Sequence, residues 1–295
     1  ELNFEGEVKE SVESELENFS LMDPNTGEYI ITRNFLELVT KLPWNEKVQI
    51  SFNLESAKKI LEDGHYGLAV GPPGVGKTSI GKSVAEAMGK PFYRFSVGGI
   101  YDESEIKGHR RTDIGSMPGK IISGIKLTQS KAPVFMIDEV DKMSASYHGD
   151  PSAALLEVLD PEQNIAFRDT YMDLPFDVSY VFFILTANTL DTIPDPLLDR
   201  AEIIELSGYV DQEKIEIAKK YIIPKNLQKN GLKKNQVKFT NQVLMEIAKE
   251  YARESGVRHY EKCIDKINRK IVTELITEAE KISDEDNEAK KVILE

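Results

Sequence analysis

The stretch Gly71-Pro72-Pro73-Gly74-Val75-Gly76-Lys77-Thr78 matches the phosphate-binding loop pattern G-x-x-x-x-G-K-S/T at every specified position. Its glycines allow backbone N–H groups to turn inward towards phosphate oxygens, a conformation that residues with a Cβ resist. Lys77 then supplies a charge for the β and γ phosphates, and the Thr78 hydroxyl a ligand for Mg²⁺. A helix predicted from Ser79 to Met88 points its N-terminal dipole at the same anion. The chain is therefore predicted to bind a nucleoside triphosphate with Mg²⁺.

Composition bounds the size, compartment and partners of the chain. Its 295 residues are enough for about two domains. The 37 basic and 50 acidic side chains give a net charge of -13, which disfavours nucleic acid as the main partner. The single cysteine, Cys263, excludes an intramolecular disulfide and favours a reducing compartment. Apolar runs such as Val181 to Leu185 are too short to span a bilayer. We therefore expect a cytoplasmic protein without a membrane partner, or its mitochondrial-matrix equivalent.

Helical spacing dominates before residue 66, and strands alternate with helices after it. An exposed amphipathic helix is indicated by apolar residues three or four positions apart, at Val8, Val12, Leu16 and Phe19. Further helices are predicted at Tyr29 to Leu42 and at Ser56 to Leu61. The candidate strands are Phe92 to Val97, Val134 to Ile137, Val181 to Thr186 and Ile203 to Leu206. Their alternation with helices is typical of a parallel sheet covered by helices on both faces.

After Gly208 the strand pattern gives way to helical spacing alone. The predicted helices are Asp211 to Ile223, Asn241 to Glu254 and Val257 to Lys281, with Asp211 and Thr240 as N-caps. The fold class is therefore α/β, followed by a smaller all-helical domain.

Two carboxylates follow the apolar run that ends at Ile137. A buried strand would deliver both to the edge of the sheet, where Asp138 can hold Mg²⁺ through its water shell and Glu139 can polarise the water that attacks the γ phosphate. A carboxylate pair that merely ends a strand is the alternative. Downstream of an intact phosphate-binding loop, the catalytic interpretation is much the stronger.

Two further residues occupy similar positions. Asn188 follows the strand that ends near Thr186 and can hydrogen-bond both the γ phosphate and the attacking water, or simply cap the strand end. Arg200 follows a proline-stiffened turn and can neutralise transition-state charge, in its own or a neighbouring subunit. It can equally pair with Asp199 or Glu202.

Several long strings beyond the phosphate-binding loop resemble the ATPase module of the Lon proteases. They are Ile106-Lys107-Gly108-His109-Arg110-Arg111-Thr112, Gly115-Ser116-Met117-Pro118-Gly119-Lys120, Gly149-Asp150-Pro151, Ala154 to Asn164, and Arg253-Glu254-Ser255-Gly256-Val257-Arg258. The resemblance runs from about residue 23 to residue 281. It implies an AAA+ unfoldase that forms a homohexameric ring, hydrolyses ATP and threads protein substrates into an attached Ser-Lys protease chamber.

The resemblance also implies roles for individual residues. Asp138 and Glu139 match the second nucleotide motif, Asn188 the first sensor, Arg258 the second sensor, and Arg200 an arginine finger that acts on the neighbouring subunit's ATP. His65-Tyr66-Gly67 resembles the segment that flanks adenine. In the substrate-facing loop, Asp113-Ile114 stands where the family has an aromatic residue followed by an aliphatic one. An aromatic ring grips an extended polypeptide through apolar contact, whereas a carboxylate repels acidic substrates.

Two other departures bear on the family's activities. The family carries a helix and the first strand of the sheet between the adenine segment and the phosphate-binding loop, whereas here Tyr66 to Val70 joins them directly. We therefore expect the loop to lack a full strand behind it. The protease domain with its Ser-Lys pair is also expected to be missing, so that this chain alone does not cleave peptides.

The resulting domain prediction has four parts. These are a helical remnant of an N-terminal region at 1–62, an α/β nucleotide-binding domain at 63–208, a helical lid at 209–282, and the start of a linker to a protease domain at 283–295. One alternative function is a nonproteolytic or hydrolysis-deficient AAA+ remodelling protein. A DNA-associated ATPase is a less favoured alternative, suggested by the basic cluster Lys107, His109, Arg110 and Arg111.

Overall fold

The computed structural model describes residues 2–48, 66–143 and 149–281. The predicted helix at Ser56 to Leu61 and the residue His65 lie outside these ranges. Chain contacts divide the protein into two units, one of Glu1–Val70 with Lys77–Glu205 and the other of Gly71–Gly76 with the chain from Leu206 onward. The phosphate-binding loop up to Gly76 thus groups with the C-terminal unit, and Lys77 with the first.

The first unit contains the strands and most of the shorter helices. Its strands are β1 (Tyr66–Val70), β2 (Phe92–Ser96), β3 (Val134–Asp138), β4 (Phe167–Arg168), β5 (Pro175–Phe176), β6 (Phe182–Ala187) and β7 (Ala201–Glu205). Its α-helices are α1 (Gly6–Leu21), α2 (Gly27–Thr40), α3 (Lys77–Met88), α4 (Ser104–Lys107), α5 (Lys120–Thr128), α6 (Pro151–Leu159) and α7 (Asp195–Leu198). Single 3-10 turns lie at Val140–Lys142 and Asn164–Ala166.

Five strands form one parallel sheet in the order β2-β3-β6-β1-β7, while β4 and β5 form an antiparallel pair. The expectation that the phosphate-binding loop lacks a strand behind it is wrong. Tyr66 to Val70 is a complete five-residue strand, buried throughout and paired on both sides. Five residues are an ordinary length for a strand, and Tyr66 and Val70 belong to the residue types that strands favour.

Both faces of the sheet are covered, which explains why the strands are apolar runs. On one face the strands share a large core with α1, α2, α5 and α6, whose buried members include Val12, Val39, Phe135 and Phe183. On the other face α3 packs Ala85 against Val134, Phe182 and Ile184. Gly81 in α3 lies so close to the sheet that a Cβ would sit 2.8 Å from the Met136 sulfur.

In the second unit the described residues form helices and turns. They comprise α8 (Asp211–Ile217), α9 (Ile223–Lys229), α10 (Asn241–Glu246) and α11 (Arg258–Lys281), with π-helical turns at Ala218–Ile222 and Ile247–Tyr251. The Thr240 N-cap is confirmed, because its side chain accepts from the Val243 N–H. The Asp211 N-cap is wrong by one residue, since Val210 is the cap and Asp211 begins the helix. Buried or partly buried residues of these helices share one core, whose buried members include Leu244, Tyr260 and Ile264.

None of the helices in the described ranges is both long and apolar enough to cross a bilayer. The predicted linker at 283–295 lies outside those ranges.

Candidate functional site

At the ends of β3 and β6, the predicted site residues Asp138 and Glu139 both contact Thr186. The Thr186 hydroxyl donates to Asp138 Oδ1 at 2.7 Å and accepts from the Glu139 backbone N–H at 3.3 Å. The parallel register pairs Ile137 with Leu185, so these polar residues follow at the same edge of the sheet. Thr186 therefore orients both acidic residues, a role that its place inside a strand did not reveal in the sequence.

Asp138 is a buried carboxylate with both oxygens engaged. It is 5% exposed, and its Oδ2 accepts from Arg94 Nε on the neighbouring strand, while Thr186 donates to Oδ1. A buried carboxylate is stable as an anion only with such partners. Both carboxylate oxygens of Asp138 are thus held in a fixed orientation at the strand end.

Glu139 has a strained backbone conformation that its neighbours must stabilise. Its φ is +63°, in the left-handed region that costs a non-glycine residue about 1–3 kcal/mol. Lys142 Nζ donates to its Oε1 at 2.5 Å, and Ser96 Oγ donates to its Oε2 at 3.2 Å. A Cβ on Gly98 would lie 2.3 Å from the same carboxylate. The strained backbone and these partners hold the Glu139 side chain beside the carboxyl end of β2, where its carboxylate is partly exposed to solvent.

Lys77 and Asn188 meet at the same edge. Lys77 Nζ donates to Asn188 Oδ1 at 3.0 Å. Desolvation lowers the pKa of Lys77, and the negative charges of Asp141, Asp138 and Glu139 oppose that shift. The structure therefore brings together four predicted site residues: Lys77, Asp138, Glu139 and Asn188.

Asp141 belongs to this cluster and was not singled out in the sequence. Of the three carboxylates that raise the pKa of Lys77, Asp141 has the largest effect. Its Oδ1 is buried and has no hydrogen-bond partner among the described residues. A polar atom in that state is costly unless a ligand or water satisfies it. The available signal was its spacing, three residues after Asp138 in a 3-10 turn.

The phosphate-binding loop has the backbone that its motif requires. Gly74 and Gly76 have φ values of +82° and +91°, which residues with a side chain rarely adopt. Gly71 cannot be replaced either, because a Cβ there would lie 2.3 Å from the Leu206 carbonyl oxygen. Alternating positive φ is how a loop turns its N–H groups towards an anion, so the residues present fit a polyphosphate.

The residues present suit a Mg²⁺ ion that binds together with the nucleotide. No group of three or more His, Cys, Asp or Glu side chains in the described ranges could hold a metal ion. A hydroxyl and a single carboxylate, here Thr78 and Asp138, are the usual protein ligands for a magnesium ion whose other ligands are phosphate oxygens and water.

The backbone before α11 lies against the phosphate-binding loop within the second unit. The Val257 N–H donates to the Gly74 carbonyl oxygen at 3.1 Å, and a Cβ on Gly74 would lie 3.0 Å from Arg258. The Tyr209 hydroxyl donates to the Val75 carbonyl oxygen at 2.7 Å. Arg258, the predicted second sensor, therefore begins its helix directly beside Gly74.

Two predicted site residues have other partners in this structure. Arg200 pairs with Asp160 Oδ2 at 3.0 Å, not with Asp199 or Glu202. The Tyr66 ring is buried in β1, and its hydroxyl donates to the Leu197 carbonyl oxygen. Burial raises the pKa of that hydroxyl. Tyr66 thus packs in the core of the first unit, and neighbouring Gly67 is buried in the same strand.

The loop with Asp113 and Ile114 presents an apolar side chain to solvent. Ile114 is fully exposed, on a turn in which the Asp113 N–H donates to the Arg110 carbonyl and the Ser116 N–H to the Asp113 carbonyl. Gly115 completes the turn with a φ of +77°. Met117, farther along the loop, is also exposed. Exposed apolar residues on a tight turn are suited to contact with another polypeptide.

The basic cluster does not form a free cationic patch. Lys107 Nζ donates to Glu157 Oε2 at 2.5 Å, and Arg111 Nη1 donates to Glu15 Oε1 at 2.8 Å. His109 Nε2 lies 3.1 Å from the Ser104 hydroxyl. Because acidic partners offset two of its charges, the cluster offers little to a phosphate backbone, and the structure gives no support to a DNA-binding role.

Two family models and several curated proteins match this chain. A family model described as "ATPase family associated with various cellular activities (AAA)" matches residues 68–209, and one described as "Lon protease AAA+ ATPase lid domain" matches residues 228–284. The chain is 56% identical over 300 residues to "Lon protease" of Treponema pallidum, covering 93% of this chain and 34% of the relative. It is 54% identical to "Lon protease 1" of Borreliella burgdorferi (95% and 38%) and 45% identical to "Lon protease" of Clostridioides difficile (91% and 38%). The chain thus spans little more than a third of the length of these relatives.

Proposed function

Because the chain belongs to the Lon branch of the AAA+ ATPases, we propose that it is the ATP-hydrolysing part of a motor that unfolds and threads proteins. The observation that carries the proposal is the meeting of Lys77, Asp138, Glu139 and Asn188 at one edge of the parallel sheet. Ligands of open α/β sheets bind outside the carboxyl ends of the strands, at a point where the strand order changes.

Each residue of the cluster has a distinct task in this proposal. The loop Gly71 to Gly76, with Lys77 and Ser79, holds the phosphates. Thr78 and Asp138 hold Mg²⁺, which offsets the charge of the phosphate oxygens when bound. Glu139 polarises the attacking water, a role suited to a carboxylate held at a strand end and partly exposed to solvent. Asn188 shares its amide between the phosphate and that water.

Arg200 and Arg258 complete the site as cations. The proposal assigns Arg258 to the nucleotide as second sensor. It assigns Arg200 to the ATP of a neighbouring copy in a homohexameric ring. The Arg200 side chain is 40% exposed even in its pair with Asp160, so another copy could reach its guanidinium. His65-Tyr66-Gly67 would flank the adenine, with the backbone as the contacting part because the Tyr66 ring is buried.

Protein substrates would contact the exposed turn at Asp113 and Ile114. Ile114 supplies the apolar grip, and the Asp113 carboxylate disfavours acidic stretches. The whole protein is then proposed to be a cytoplasmic, Lon-type protease involved in protein degradation, in which this chain supplies the motor and a Ser-Lys region cuts the threaded polypeptide.

The test is the stimulation of ATP hydrolysis by an unfolded protein. ATP turnover by the chain is measured with Mg²⁺ and increasing casein, while light scattering follows the assembled mass. We expect casein to raise turnover in the wild type and to raise it less in Ile114→Ser. The variant Lys77→Ala is the control for contaminating ATPases. Hydrolysis that casein never affects would contradict the threading role. Binding of ATP without hydrolysis would favour the hydrolysis-deficient remodelling protein.

A further inference from the structure

Both ends of the loop that carries Ile114 meet at one buried side chain, Asp169. The Gly119 N–H donates to Asp169 Oδ2 at 2.6 Å. At the other end, a Cβ on Gly108 would lie 2.6 Å from Asp169 Oδ1. Gly108 has a φ of +87°, so both its conformation and its contact require glycine. The carboxylate of Asp169 thus lies between the two ends of the Gly108–Gly119 loop, which we call the neck of the loop.

Further hydrogen bonds fasten the neck to the segment around Asp169. The Thr170 N–H donates to the Lys107 carbonyl at 2.6 Å, and the His109 N–H donates to the Met117 carbonyl at 3.1 Å. On its own segment, Asp169 Oδ1 accepts from the N–H groups of Tyr171 and Met172 at 2.8 and 3.1 Å. One carboxylate therefore ties three backbone N–H groups from two separate parts of the chain.

Asp169 is a carboxylate in a buried position, where the charged form is disfavoured. Asp169 is 0% exposed, and burial raises the pKa of its carboxyl to about 6, although its three N–H donors act in the opposite sense. Other titratable groups facing it are His109 and Tyr171. An apolar residue could fill the space but would leave three buried N–H groups unpaired, which is costly. The site thus requires the two-oxygen acceptor.

We propose that Asp169 is a positioning residue for substrate engagement, which sets the direction in which the Gly108–Gly119 loop presents Ile114. The inference rests on the proposed function, since it assumes that Ile114 contacts the threaded polypeptide. Asp169 itself touches neither substrate nor nucleotide. It acts by fixing the neck, so that a pull on Ile114 is resisted by the core of the sheet unit and not absorbed by a loose loop.

The variant Asp169→Asn preserves size and replaces one acceptor oxygen with an NH₂ donor. Whichever way the amide turns, at least one of the three N–H groups then faces a donor. Its matched control is Asp173→Asn, because Asp173 lies four residues away, is well exposed at its side chain, and has a φ of +51° that asparagine tolerates. Both variants change the net charge by the same amount.

The readout is the casein concentration that gives half-maximal stimulation of ATP turnover, with each sample's turnover without casein as its own reference. We expect Asp169→Asn to raise that concentration about tenfold, the effect of losing one buried hydrogen bond, and Asp173→Asn to leave it unchanged. In an Ile114→Ser background, Asp169→Asn should add little, since both changes remove the same contact. Additive effects of the two substitutions would overturn the inference.

A measurement on the wild type keeps the inference testable if the variant fails to fold. Hydrogen–deuterium exchange should show the Gly119 amide protected to the same extent as the amides of Tyr171 and Met172, because one carboxylate holds all three. Exchange of Gly119 at the rate of an open loop would overturn the inference. Failure of the proposed function looks different, because casein would then not stimulate even the wild type.

Discussion

At the residue scale, glycines mark where the phosphate-binding loop touches the turn before α11. A Cβ on Gly256 would lie 2.2 Å from the Pro73 carbonyl oxygen and 2.8 Å from the Gly74 Cα. Backbone cannot give way as a flexible side chain can. The conformation of the loop is therefore set partly by the residue at position 256, which lies far from it in sequence.

Gly256→Ala should weaken ATP binding. Overpacking costs about 1–3 kcal/mol, and if the phosphate-binding loop absorbs it, affinity falls by about tenfold or more. Titration with a fluorescent ATP analogue measures the dissociation constant. Gly27→Ala is the control, because a Cβ at Gly27 meets nothing within 4 Å and the residue lies in the first turn of α2. Equal affinities for Gly256→Ala and the wild type would contradict this account of the loop.

Asp169 should make stability depend on pH in a defined direction. Its folded-state pKa of about 6 lies above the ordinary 3.8, so between these values the folded protein holds a proton that the unfolded chain has released. Protonation therefore stabilises the fold in acid, and this contribution is lost as the pH rises through 6. The free energy of unfolding of the wild type, relative to Asp169→Asn, should increase by roughly 1 kcal/mol per pH unit below 6.

Urea denaturation at a series of pH values measures this difference. Taking the difference between two proteins removes the titrations of groups that do not interact with Asp169. A constant difference from neutral pH down to about pH 5 would show that folding does not raise the pKa of Asp169.

At the element scale, Arg111 connects the Gly108–Gly119 loop to the helices α1 and α2. Its guanidinium donates to Glu15 of α1 at 2.8 Å and lies 4.1 Å from the ring centre of Phe35 in α2. Both charged side chains of the pair are only about a quarter exposed. The loop that carries Ile114 is thus also tied to α1 and α2.

Arg111→Ala should lower the free energy of unfolding by about 1–2 kcal/mol, the sum of a half-buried ion pair and a cation–π contact. Arg110→Ala is the matched control, since Arg110 is exposed and surface substitutions usually change stability by less than about 0.5 kcal/mol. Chemical denaturation measures both. Equal losses for the two variants would show that the Arg111 contacts contribute nothing.

Periodicity predicted most elements to within a few residues. The strands at Val134 and Phe182 and the helices after Gly208 follow directly from apolar spacing, which reflects burial. The first strand does not follow from spacing, because Tyr66 to Val70 includes Gly67 and Ala69, which strands disfavour, and joins two motifs directly. The π-helical turns at Ala218–Ile222 and Ile247–Tyr251 were not foreseen, since a single extra residue per turn leaves almost no trace in the spacing.

Site residues were predictable where a motif or a strand end marks them. Lys77, Glu139 and Asn188 follow that logic. Asp141 and Asp169 do not, because their importance comes from partners distant in the chain: Lys77 for the first, and Gly119 for the second. A carboxylate in the sequence gives no sign of whether it will be exposed or fully buried.

At the scale of the whole molecule, the proposed ring requires a residue to act between copies. Arg200 lies in a pair with Asp160 within one chain, and the proposal transfers its charge to a neighbour's ATP. Arg200→Ala then lacks the cation that acts on the neighbouring copy's ATP. Lys77→Ala lacks the contact with the phosphates of its own ATP.

Mixing the two inactive variants should restore part of the ATP turnover, because some sites then combine an intact Lys77 with an intact Arg200 from the adjoining copy. Turnover is measured across mixing ratios, with each variant alone as reference. Asp160→Asn is the control for a purely structural pair. Mixtures no more active than their components, together with an equal loss in Asp160→Asn, would mean that Arg200 serves only the fold of its own chain.

The central claim is that the polar cluster at the sheet edge hydrolyses ATP, and ATP turnover by the wild type beside Glu139→Gln and Lys77→Ala tests it most directly. The account predicts Mg²⁺-dependent turnover in the wild type. Glu139→Gln should lose turnover by about a hundredfold or more while still binding ATP, and Lys77→Ala should lose binding as well. Wild-type turnover in Glu139→Gln would contradict the role given to this carboxylate, and a folded wild type that neither binds nor hydrolyses ATP would contradict the whole account.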